Sequence, residues 1–503
     1  MSALSDLLAH GERIPEHRSC PRVTVDSSVW ALAAQQLAEG HYRLLSEWAE
    51  PDTVHAALLD EQDGGMGVIS LACCNGEFPS MARVHVPALR LERAIHDLFG
   101  LIPTGLPDPR PWLDHGCWGV RSPLGGRNEI PAGNAEPYTF LASEGESLHQ
   151  IPVGPVHAGI IEPGHFRFTA NGETIVRLEE RLGYVHKGID SLMAGSDLAG
   201  AARLAARTSG DSAVAYAIAF ARAVETALAV EVPPRAQYLR ALMAELERLA
   251  NHFGDIGGVC NDAAFALMHA HCGVLRERVL RTAQSCFGHR LMFDCVTPGG
   301  VQRELEPPGV AVLERLISNI RKRFPALVEL YDNTASLQDR VVASGFLKPA
   351  LAQQYGAGGY VGRGSGRTID ARRLPGYPPY ESLNFEVPVR QEGDVNARVW
   401  IRILEVEQSL SMIEQILTVL PGGPLCVELP DQAGEGMALV EGFRGDILAW
   451  VRVDHAGTVV RCHLRDPSWF QWPLLEAAIE GNIVADFPLC NKSFNCSYSG
   501  HDL

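Results

Sequence analysis

The sequence lacks any run of about 18 uninterrupted apolar residues, the minimum for a helix that crosses a membrane. Residues 1–18 have neither a positively charged start nor an apolar stretch, so they do not resemble a secretory signal. Basic residues are outnumbered, with 43 Lys and Arg against 60 Asp and Glu. This argues against nucleic acid as a partner, because phosphate binding requires a basic face. We therefore expect a cytoplasmic protein that serves a membrane by docking onto it.

Paired cysteine motifs are missing as well. The chain has twelve cysteines, but no CxxC motif occurs among them. Zinc ribbons and iron–sulfur clusters use cysteines at short paired spacings, so neither kind of site is indicated. In a long chain that stays inside the cell, the default is reduced and mostly buried thiols.

The composition is that of a folded protein of several domains. Apolar residues make up 46% and charged residues 20% of the 503 residues, which excludes a disordered or coiled-coil chain. At about 150 residues per domain, this length allows roughly two to four domains. Apolar and polar residues alternate in Thr53–Asp60, Met66–Cys74 and Ala82–Pro87, and a helical pattern follows in Ala88–Phe99. Residues 1–105 therefore indicate a small α+β domain.

A segment rich in proline and glycine, residues 103–150, separates this first part of the chain from the remainder. Two strand-like runs follow, His165–Thr169 and Thr174–Leu178, with a turn between them. Beyond them, helical spacing predicts the helices Ala213–Leu228, Arg235–Ile256, Ala264–Phe287, Gly309–Arg323, Ala326–Ser344 and Asn396–Leu420. The pattern returns to strand-like alternation in Leu425–Leu464.

Several strings resemble known families. The string Leu91-Glu-Arg-Ala-Ile-His-Asp-Leu-Phe-Gly-Leu resembles a segment of the thirty-kilodalton subunit of respiratory complex I. The string Gly154-Pro-Val-His-Ala-Gly-Ile-Ile-Glu-Pro-Gly-His-Phe-Arg-Phe is similar to the start of group 4 [NiFe]-hydrogenase large subunits, which are homologous to the forty-nine-kilodalton subunit of complex I. Further matches follow in chain order, among them Leu182-Gly-Tyr-Val-His-Lys-Gly-Ile, Glu245-Leu-Glu-Arg-Leu-Ala-Asn-His and Glu392-Gly-Asp-Val-Asn-Ala-Arg. The chain resembles a fusion of both subunits, as in the large subunits of formate hydrogenlyase and hydrogenase-4.

This resemblance implies a division of the chain. Residues 1–120 would form an α+β domain like the thirty-kilodalton subunit of complex I, and residues 121–150 a linker rich in proline and glycine. Residues 151–503 would form a mainly α-helical domain like the hydrogenase large subunit and the forty-nine-kilodalton subunit, with small β-sheets.

The resemblance also locates a nickel–iron site, which needs four thiolates from two CxxC motifs. The corresponding positions here are Ser209, Ser212, Ser497 and Gly500. A serine hydroxyl is a hard, protonated and poor ligand for nickel. We therefore expect no nickel and no metal in this chain, with these four positions vestigial. The sequence ends at Leu503, directly after the second motif, whereas maturing hydrogenases carry a tail that is cleaved after nickel insertion; this agrees with a site never loaded.

Other positions bear on quinone and proton chemistry. The quinone-binding tyrosine of the forty-nine-kilodalton subunit aligns with Gly210, and its quinone-pocket histidine aligns near Glu162. Glu162 also matches the proton-gating glutamate of hydrogenases. It would be either a partly buried proton relay with a raised pKa or the partner of an arginine such as Arg207. Asp211 would lie in the same cavity and either relay protons or cap the following helix.

The remaining candidates have both structural and functional interpretations. We take Glu162, Asp211 and Arg207 as candidate catalytic residues, and His157 and Gly210 as candidate cofactor-binding residues. His157 and His165 would otherwise donate to backbone near the strand. For the other residues we favour structural roles. His186 and Lys187 would fix a helix start or the interface with a neighbouring subunit. Glu245, Arg248 and His252 would form an ion-pair ladder, and Cys490 and Cys496 would be packed thiols.

We predict a subunit of a membrane-associated oxidoreductase complex of the NADH:quinone oxidoreductase and hydrogenase-4 type. It would couple electron transfer to quinone or proton chemistry without a nickel–iron centre. Its partners would be a small iron–sulfur subunit, like the twenty-kilodalton subunit of complex I, and antiporter-like membrane subunits at the inner face of the cell membrane. The cluster would belong to the partner, and this chain would hold no cofactor. The alternatives are a non-catalytic scaffold subunit and a nickel–iron hydrogenase with unusual ligands.

Overall fold

The structure is a computed structural model that describes residues 2–126, 128–129, 137–157 and 161–503. Parts of two sequence predictions lie outside the described residues. These are residues 127 and 130–136 of the predicted linker, and residues 158–160 of the hydrogenase-like string that begins at Gly154.

The first hundred residues form a mixed sheet with helices, as the alternation predicts. The elements are α1 (Ala3–Leu8), β1 (Glu12–Arg13), β2 (Arg22–Val25), α2 (Ser27–Glu39), β3 (Arg43–Glu50), β4 (Thr53–Leu59), β5 (Met66–Ala72), β6 (Glu77–Pro79), α3 (Leu89–Phe99) and β7 (Ile102–Thr104). Five strands pair in the order β1-β2-β5-β4-β3, and only the β2–β5 pair among them is parallel. Strands β6 and β7 form a separate parallel pair.

Local sequence explains where these elements stop. Asp26 caps the start of helix α2, because its carboxylate accepts the N–H groups of Ser28 and Val29. Gly40, with φ of 78°, caps the end of the helix. The alternation in Ala82–Pro87 does not produce a strand. Those residues form turns and the start of a short helical turn, because the buried carboxylate of Glu92 accepts the N–H groups of Met81 and Ala82.

The segment that follows leads to the predicted hairpin. Its strands are β8 (Val120–Arg121), β9 (Asn128–Glu129), β10 (Leu148–Val153), β11 (His165–Asn171) and β12 (Thr174–Arg181). Strands β10, β11 and β12 form an antiparallel sheet, with the predicted turn joining β11 to β12. Phe166 and Phe168 on β11 are buried against Phe487, so this sheet packs on the C-terminal part of the chain.

Helices dominate the middle of the chain. They are α4 (Ile189–Met193), α5 (Leu198–Ala205), α6 (Ala213–Ala227), α7 (Pro234–Asp262), α8 (Ala266–Phe287), α9 (Pro307–Asn333), α10 (Ala335–Val341), α11 (Pro349–Gln354), α12 (Gly359–Arg363) and α13 (Val395–Val419), with the short strands β13 (Val296–Thr297) and β14 (Gly300–Val301) between α8 and α9. The predicted break before Ala326 is wrong: α9 continues through Pro325. Packing outweighs the lost hydrogen bond, because Phe324 is buried beside Phe253.

The chain closes with a sheet and three helices. These are β15 (Gly434–Glu441), β16 (Asp446–Val453), β17 (Val459–Arg465), α14 (Ser468–Ala478), α15 (Phe487–Phe494) and α16 (Tyr498–Asp502). The apolar helix α6 packs against β15 and β16. In the part of the chain that is described, no helix combines the length and the apolar character needed to cross a membrane.

Buried ion pairs join the N-terminal sheet to this C-terminal sheet. Arg22 lies 2.6 Å from Glu435, and Arg43 lies 2.7 Å from Asp446. Trp48 of β3 is tilted over Trp450 of β16, with ring centroids 5.5 Å apart. The two regions therefore share a polar and aromatic interface.

Candidate active site

The four positions that the resemblance assigns to nickel ligands converge. Ser209 Oγ lies 2.8 Å from Ser497 Oγ, although 288 residues separate them in the chain. The backbone N–H of Gly500 donates to Ser497 Oγ at 2.9 Å. The hydroxyls of Ser209 and Ser212 both donate to the same oxygen of Asp211, at 2.8 and 3.2 Å. The three serines and Gly500 are buried, so together they form one polar cluster inside the protein.

The local structure explains this convergence. Ser209 and Ser212 lie in the loop between α5 and α6, and Ser497 is the N-cap of α16. Ser497 has an extended backbone, and its side-chain oxygen accepts the N–H of Gly500, as the side chain of a capping serine usually does. The residue at a predicted ligand position therefore stabilises a helix end.

An ion pair occupies the space between these segments. Arg444, in the turn between β15 and β16, donates to Asp211 Oδ2 at 2.6 Å and to Ser212 Oγ at 3.3 Å. Its Nε donates to the carbonyl oxygen of Asn495 at 2.6 Å. The Arg444 side chain is 2% exposed, whereas the Asp211 side chain is 37% exposed and reaches an adjoining cleft. Sequence reasoning missed Arg444, since a single arginine in a turn carries no spacing signal.

Asp211 stays ionised in this arrangement. Burial opposes the charge, but the Arg444 guanidinium and the hydroxyls of Ser209 and Ser212 outweigh it and hold the pKa of the carboxyl below its usual value. The alternative role as a helix cap is wrong, because the Asp211 side chain accepts from those three groups and not from a helix N–H. Its role as a relay stays a prediction.

Glu247 holds the start of α6 instead. Its two carboxylate oxygens accept the N–H groups of Val214 and Ala215 at 2.7 and 3.1 Å. Burial raises the pKa of Glu247 to about 8, against the opposing effect of these two hydrogen bonds. Glu247 lies on α7 and was not predicted as a site residue, since a glutamate on a helix has no local signal for such a distant contact.

Glu162 lies at the edge of the cluster. Its Oε2 accepts the N–H of Ser499 at 3.1 Å, next to Gly500. The expectation of a partly buried side chain is wrong, because Glu162 is exposed. Arg207 is not its partner: that guanidinium makes a two-pronged pair with Asp294, at 2.8 and 2.9 Å, on the surface.

Lys187 connects this edge to the interior. Its ammonium donates to the carbonyl oxygen of Thr208 at 2.8 Å, beside Ser209. Burial lowers the pKa of Lys187, and the nearby carboxylates of Glu162 and Asp502 oppose this effect. The backbone N–H groups of Lys187 and Gly188 both donate to the carbonyl oxygen of Leu503. Helix α4 begins just after these residues, at Ile189, but neither the His186 nor the Lys187 side chain caps it; the subunit-interface alternative stays a prediction.

The two candidate cofactor-binding positions differ in surroundings. His157 Nε2 lies 2.8 Å from the carbonyl oxygen of Gly164, and His165 Nδ1 lies 3.2 Å from that of Gly154, as the structural interpretation expected. Gly210 is exposed at a cleft of about 240 Å³ that Asp211, Glu247 and Asn251 also line. A cofactor role for either residue stays a prediction.

The predicted ion-pair ladder is confirmed and is larger than expected. Arg248 lies 3.3 Å from Glu245, and His252 lies 2.7 Å from Glu405 of α13. All four side chains are buried. The ladder continues into a cluster around Arg363, whose partners are Asp370, in the segment after α12, and Glu441, at the end of β15.

These residues do not fit a nickel–iron centre. The donors at the four positions are three hydroxyls and a glycine, which supplies no side chain. The neighbouring thiols Cys490 and Cys496 are buried, and burial raises their pKa values, to about 12 for Cys490, so both favour the neutral packed form. Among the described residues, no three His, Cys, Asp or Glu side chains are grouped to hold a metal ion.

A methyl group at Gly500 tests how closely the cluster is packed. A Cβ atom there would overlap Asp466 Oδ2, which is fixed by the Tyr216 hydroxyl at 2.7 Å. We expect Gly500→Ala to lower the free energy of unfolding by about 1–3 kcal/mol, in spite of alanine's better helix propensity. Urea denaturation would measure it.

The matched control is Gly210→Ala. A Cβ atom at Gly210 has no neighbour within 4 Å, so we expect a change below about 0.5 kcal/mol. Equal effects of the two substitutions would contradict the close packing around Gly500.

Known proteins share this fold and sequence. The profile of the family described as respiratory-chain NADH dehydrogenase, 49 Kd subunit, matches residues 262–433 and 427–502. Formate hydrogenlyase subunit 5 of Escherichia coli K12 is 32% identical over 443 residues, covering 85% of this chain and 77% of the relative. An NADH-quinone oxidoreductase subunit of Desulfotalea psychrophila is 32% identical over 345 residues, covering 67% and 92%.

A solved structure agrees with these relatives. The structure of the membrane-bound sulfane sulfur reductase, an archaeal respiratory membrane complex, contains a chain that matches with a TM-score of 0.67 and 26% identity, covering 71% of this chain and 99% of that one. The fold expected from the strings that resemble the forty-nine-kilodalton subunit is thereby confirmed. The chain belongs to the family of the 49 Kd subunit of respiratory-chain NADH dehydrogenase, together with the large subunits of the formate hydrogenlyase type.

Proposed function

We propose that this chain is a subunit of a membrane-associated oxidoreductase complex and couples electron transfer to quinone or proton chemistry without a nickel–iron centre. The observation that carries the proposal is the Asp211–Arg444 pair. Arg444 donates to Ser212 and to Asn495, so the pair lies next to the four converging positions. Its guanidinium is buried, and the Asp211 carboxylate is ionised. A cation and an acid placed beside a cleft are suited to proton or polar substrate chemistry rather than to nickel binding.

The polar groups around the cluster form a route from solvent. Glu162 is exposed and contacts Ser499, Lys187 contacts Thr208, and Asp211 opens to the cleft at Gly210. A carboxylate at the surface, an ammonium and an inner carboxylate are groups that transfer protons. In this proposal the cleft admits the substrate or a group from a partner subunit, and Gly210 leaves room for it.

The partners and location are also part of the proposal. A small iron–sulfur subunit, like the twenty-kilodalton subunit of complex I, would supply the cluster, and antiporter-like subunits would supply the membrane arm. The chain would lie on the inner face of the cell membrane. The relatives support this proposal, because their names describe subunits of a formate hydrogenlyase and of an NADH-quinone oxidoreductase, and the matched solved chain comes from a respiratory membrane complex.

We also propose that residues 1–120 form a domain like the thirty-kilodalton subunit of complex I. Residues 121–150 would join it to residues 151–503, the part that resembles the forty-nine-kilodalton subunit. The five-stranded sheet and helix α3 support this division. The buried pairs Arg22–Glu435 and Arg43–Asp446 support two units that function while attached to each other.

Metal analysis of the purified complex tests the absence of nickel. We expect well below one nickel per chain by mass spectrometry of the metals, with iron present in the amount that the partner's cluster requires. A hydrogenase of the formate hydrogenlyase type, purified in the same way, is the positive control. Stoichiometric nickel in this protein would overturn the proposal and revive a hydrogenase with unusual ligands.

Substitution of Glu162 tests the proton role. We expect Glu162→Gln to slow turnover of the intact complex about tenfold, because the amide cannot exchange a proton. Glu173→Gln is the control, since Glu173 is also an exposed glutamate but lies in the turn before β12. Unchanged turnover in Glu162→Gln would remove Glu162 from the route, and a complex with no redox turnover at all would favour the scaffold alternative.

A further inference from the structure

A small cavity lies between α6, α7 and the segment 377–380, and it shares no lining residue with the cleft at Gly210. We call it the Arg222 cavity. Its volume is about 30 Å³, and its walls include Arg222, Gln237 and Pro378. A water molecule takes up about 30 Å³ of the liquid. The cavity is therefore too small for a cofactor but has room for a group of the size of a carboxylate.

One cation lines this cavity without a counterion. Arg222 is partly buried on α6, a helix whose other side chains are mainly apolar and buried. Its Nε is enclosed and has no hydrogen-bond partner among the described residues. The two terminal nitrogens, unlike Nε, keep accessible surface at the cavity, and they too donate to no described residue. A ligand in the cavity can therefore reach the N–H groups of Arg222.

The acid on the same helix is already in use. Glu225 accepts two hydrogen bonds from Arg240, at 2.5 and 3.0 Å, and a third from the N–H of Gly299 at 2.8 Å. Glu381 attracts Arg222 from further away, and its own side chain is exposed. Two arginines thus share one buried carboxylate, so the cavity carries a surplus of positive charge.

Tyr377 covers the guanidinium without satisfying it. The distance from Arg222 Cζ to the centroid of the tyrosine ring is 4.7 Å. A ring face attracts a cation, but it leaves free the N–H groups at the edge of the guanidinium. Burial lowers the pKa of Arg222, against the opposing effects of Tyr377 and Glu225, yet an arginine stays protonated in proteins.

A carboxylate is the group that fits this arrangement. A partly buried cation without acceptors costs free energy. A planar carboxylate accepts from two nitrogens of a guanidinium at once, in the plane that stacking on a ring leaves open. Beside the guanidinium, Ile218, Val232 and Pro378 supply apolar walls for the carbon that carries the carboxylate.

We propose that the Arg222 cavity binds a carboxylate group, whose two oxygens accept hydrogen bonds from the terminal nitrogens of Arg222. The group belongs to a small free carboxylic acid or to an acidic side chain of a partner subunit, and the experiment below distinguishes these two sources. The site is separate from the Asp211–Arg444 pair and does not depend on the proposed function.

Two matched probes test the site on the full chain by saturation-transfer NMR at constant ionic strength. Acetate carries the carboxylate, and acetamide has nearly the same shape without the charge. We expect acetate to bind with a Kd of roughly 1–10 mM, because four heavy atoms give limited affinity. We expect acetamide to bind at least about tenfold more weakly, since a hydrogen bond to a charged partner is about twice as strong as a neutral one.

Substitutions of Arg222 assign the binding to this residue. Arg222→Met removes the cation and leaves Glu225 paired with Arg240, so we expect acetate binding to fall at least tenfold and the thermal unfolding midpoint not to fall. Arg222→Lys keeps the charge but loses the two-pronged geometry, so we expect an intermediate affinity. Arg315→Met is the matched control, because Arg315 is an exposed arginine of α9, and we expect it to leave acetate binding unchanged.

The intact complex separates the two sources of the carboxylate. If acetate binds equally to the full chain and to the complex, the site is open to a free carboxylic acid. If acetate binds to the full chain but not to the complex, the carboxylate of a partner subunit fills the cavity.

Three results would overturn the proposal. Absence of saturable acetate binding to the full chain would mean that the cavity holds only water. Equal affinity for acetate and acetamide would mean that the charge of Arg222 selects nothing. Acetate binding that persists unchanged in Arg222→Met would place the site elsewhere.

Discussion

Replacing Arg363 by methionine is expected to lower the free energy of unfolding by about 3–5 kcal/mol, because it leaves buried carboxylates without their shared cation. Arg363 is fully buried. Its guanidinium contacts Glu405, lies 2.9 Å from Glu441 and lies 3.4 Å from Asp370. Two further arginines, Arg248 and Arg372, would still pair with Glu245, Glu405 and Asp370, but among the described residues neither pairs with Glu441.

The pH dependence of this loss has a definite sign. Burial raises the pKa of Glu441 to about 7 in the intact cluster, and loss of Arg363 raises the pKa values of its acidic partners further. An acid whose folded pKa is raised costs no stability below its unfolded pKa, near 4.5; the cost grows as pH rises from that value to the folded pKa and is constant above it. Glu441 therefore destabilises both proteins equally up to about pH 7, and we expect the deficit of Arg363→Met to grow above about pH 7, as thermal unfolding would measure.

Arg321→Met is the matched control. Arg321 pairs with Glu407 and Glu414, but its side chain is 39% exposed. Surface pairs of this kind contribute about 0–1 kcal/mol. If the two substitutions lowered stability equally, the buried cluster would not be a source of stability.

Replacing Arg43 by methionine is expected to cost about 3 kcal/mol and to loosen the N-terminal sheet from the rest of the protein. Arg43 of β3 donates to Asp446 at 2.7 Å, and the two side chains are 5% and 1% exposed. Asp446 keeps Arg465, at 2.5 Å, as a second cation, so the loss falls at the lower end of the range for broken buried pairs.

The readout for Arg43→Met is both stability and cooperativity. We expect the denaturation curve to separate into two transitions, with residues 1–120 released to limited proteolysis first. Arg452→Met is the control at the same interface, because Arg452 contacts Glu50 and Glu435 but is 34% exposed. A single unchanged transition in Arg43→Met would contradict a coupled interface.

Much of the helical part could be predicted from the sequence. The spacing of apolar residues in Asn396–Leu420 matches α13 to within one residue at each end, because amphipathic helices repeat every 3.6 residues. The start predicted at Arg235 matches α7, but the end predicted at Ile256 is wrong, since α7 continues to Asp262. The break predicted at Pro325 is wrong for a reason that spacing cannot reveal. The apolar residues on both sides of it continue one buried face, and their packing outweighs the missing hydrogen bond.

The candidate site was only partly predictable. The resemblance brought together Ser209, Ser212, Ser497 and Gly500. In the structure Ser209 and Gly500 contact Ser497, and Ser212 shares the Asp211 carboxylate with Ser209. Arg444 and Glu247 could not be predicted, because each contacts the site across a large separation in the chain. Glu162 was expected to be partly buried, but it is exposed, since its sequence neighbours do not determine what covers it.

By itself, the sequence determined that the four ligand positions carry no thiolate, because ligand identity is a property of the residue and not of the fold. It also determined the helix periods and, through its strings, the family. The tertiary structure alone decided what lies beside these four positions, because an ion pair between Asp211 and Arg444 requires two segments 233 residues apart to meet in a low-dielectric interior.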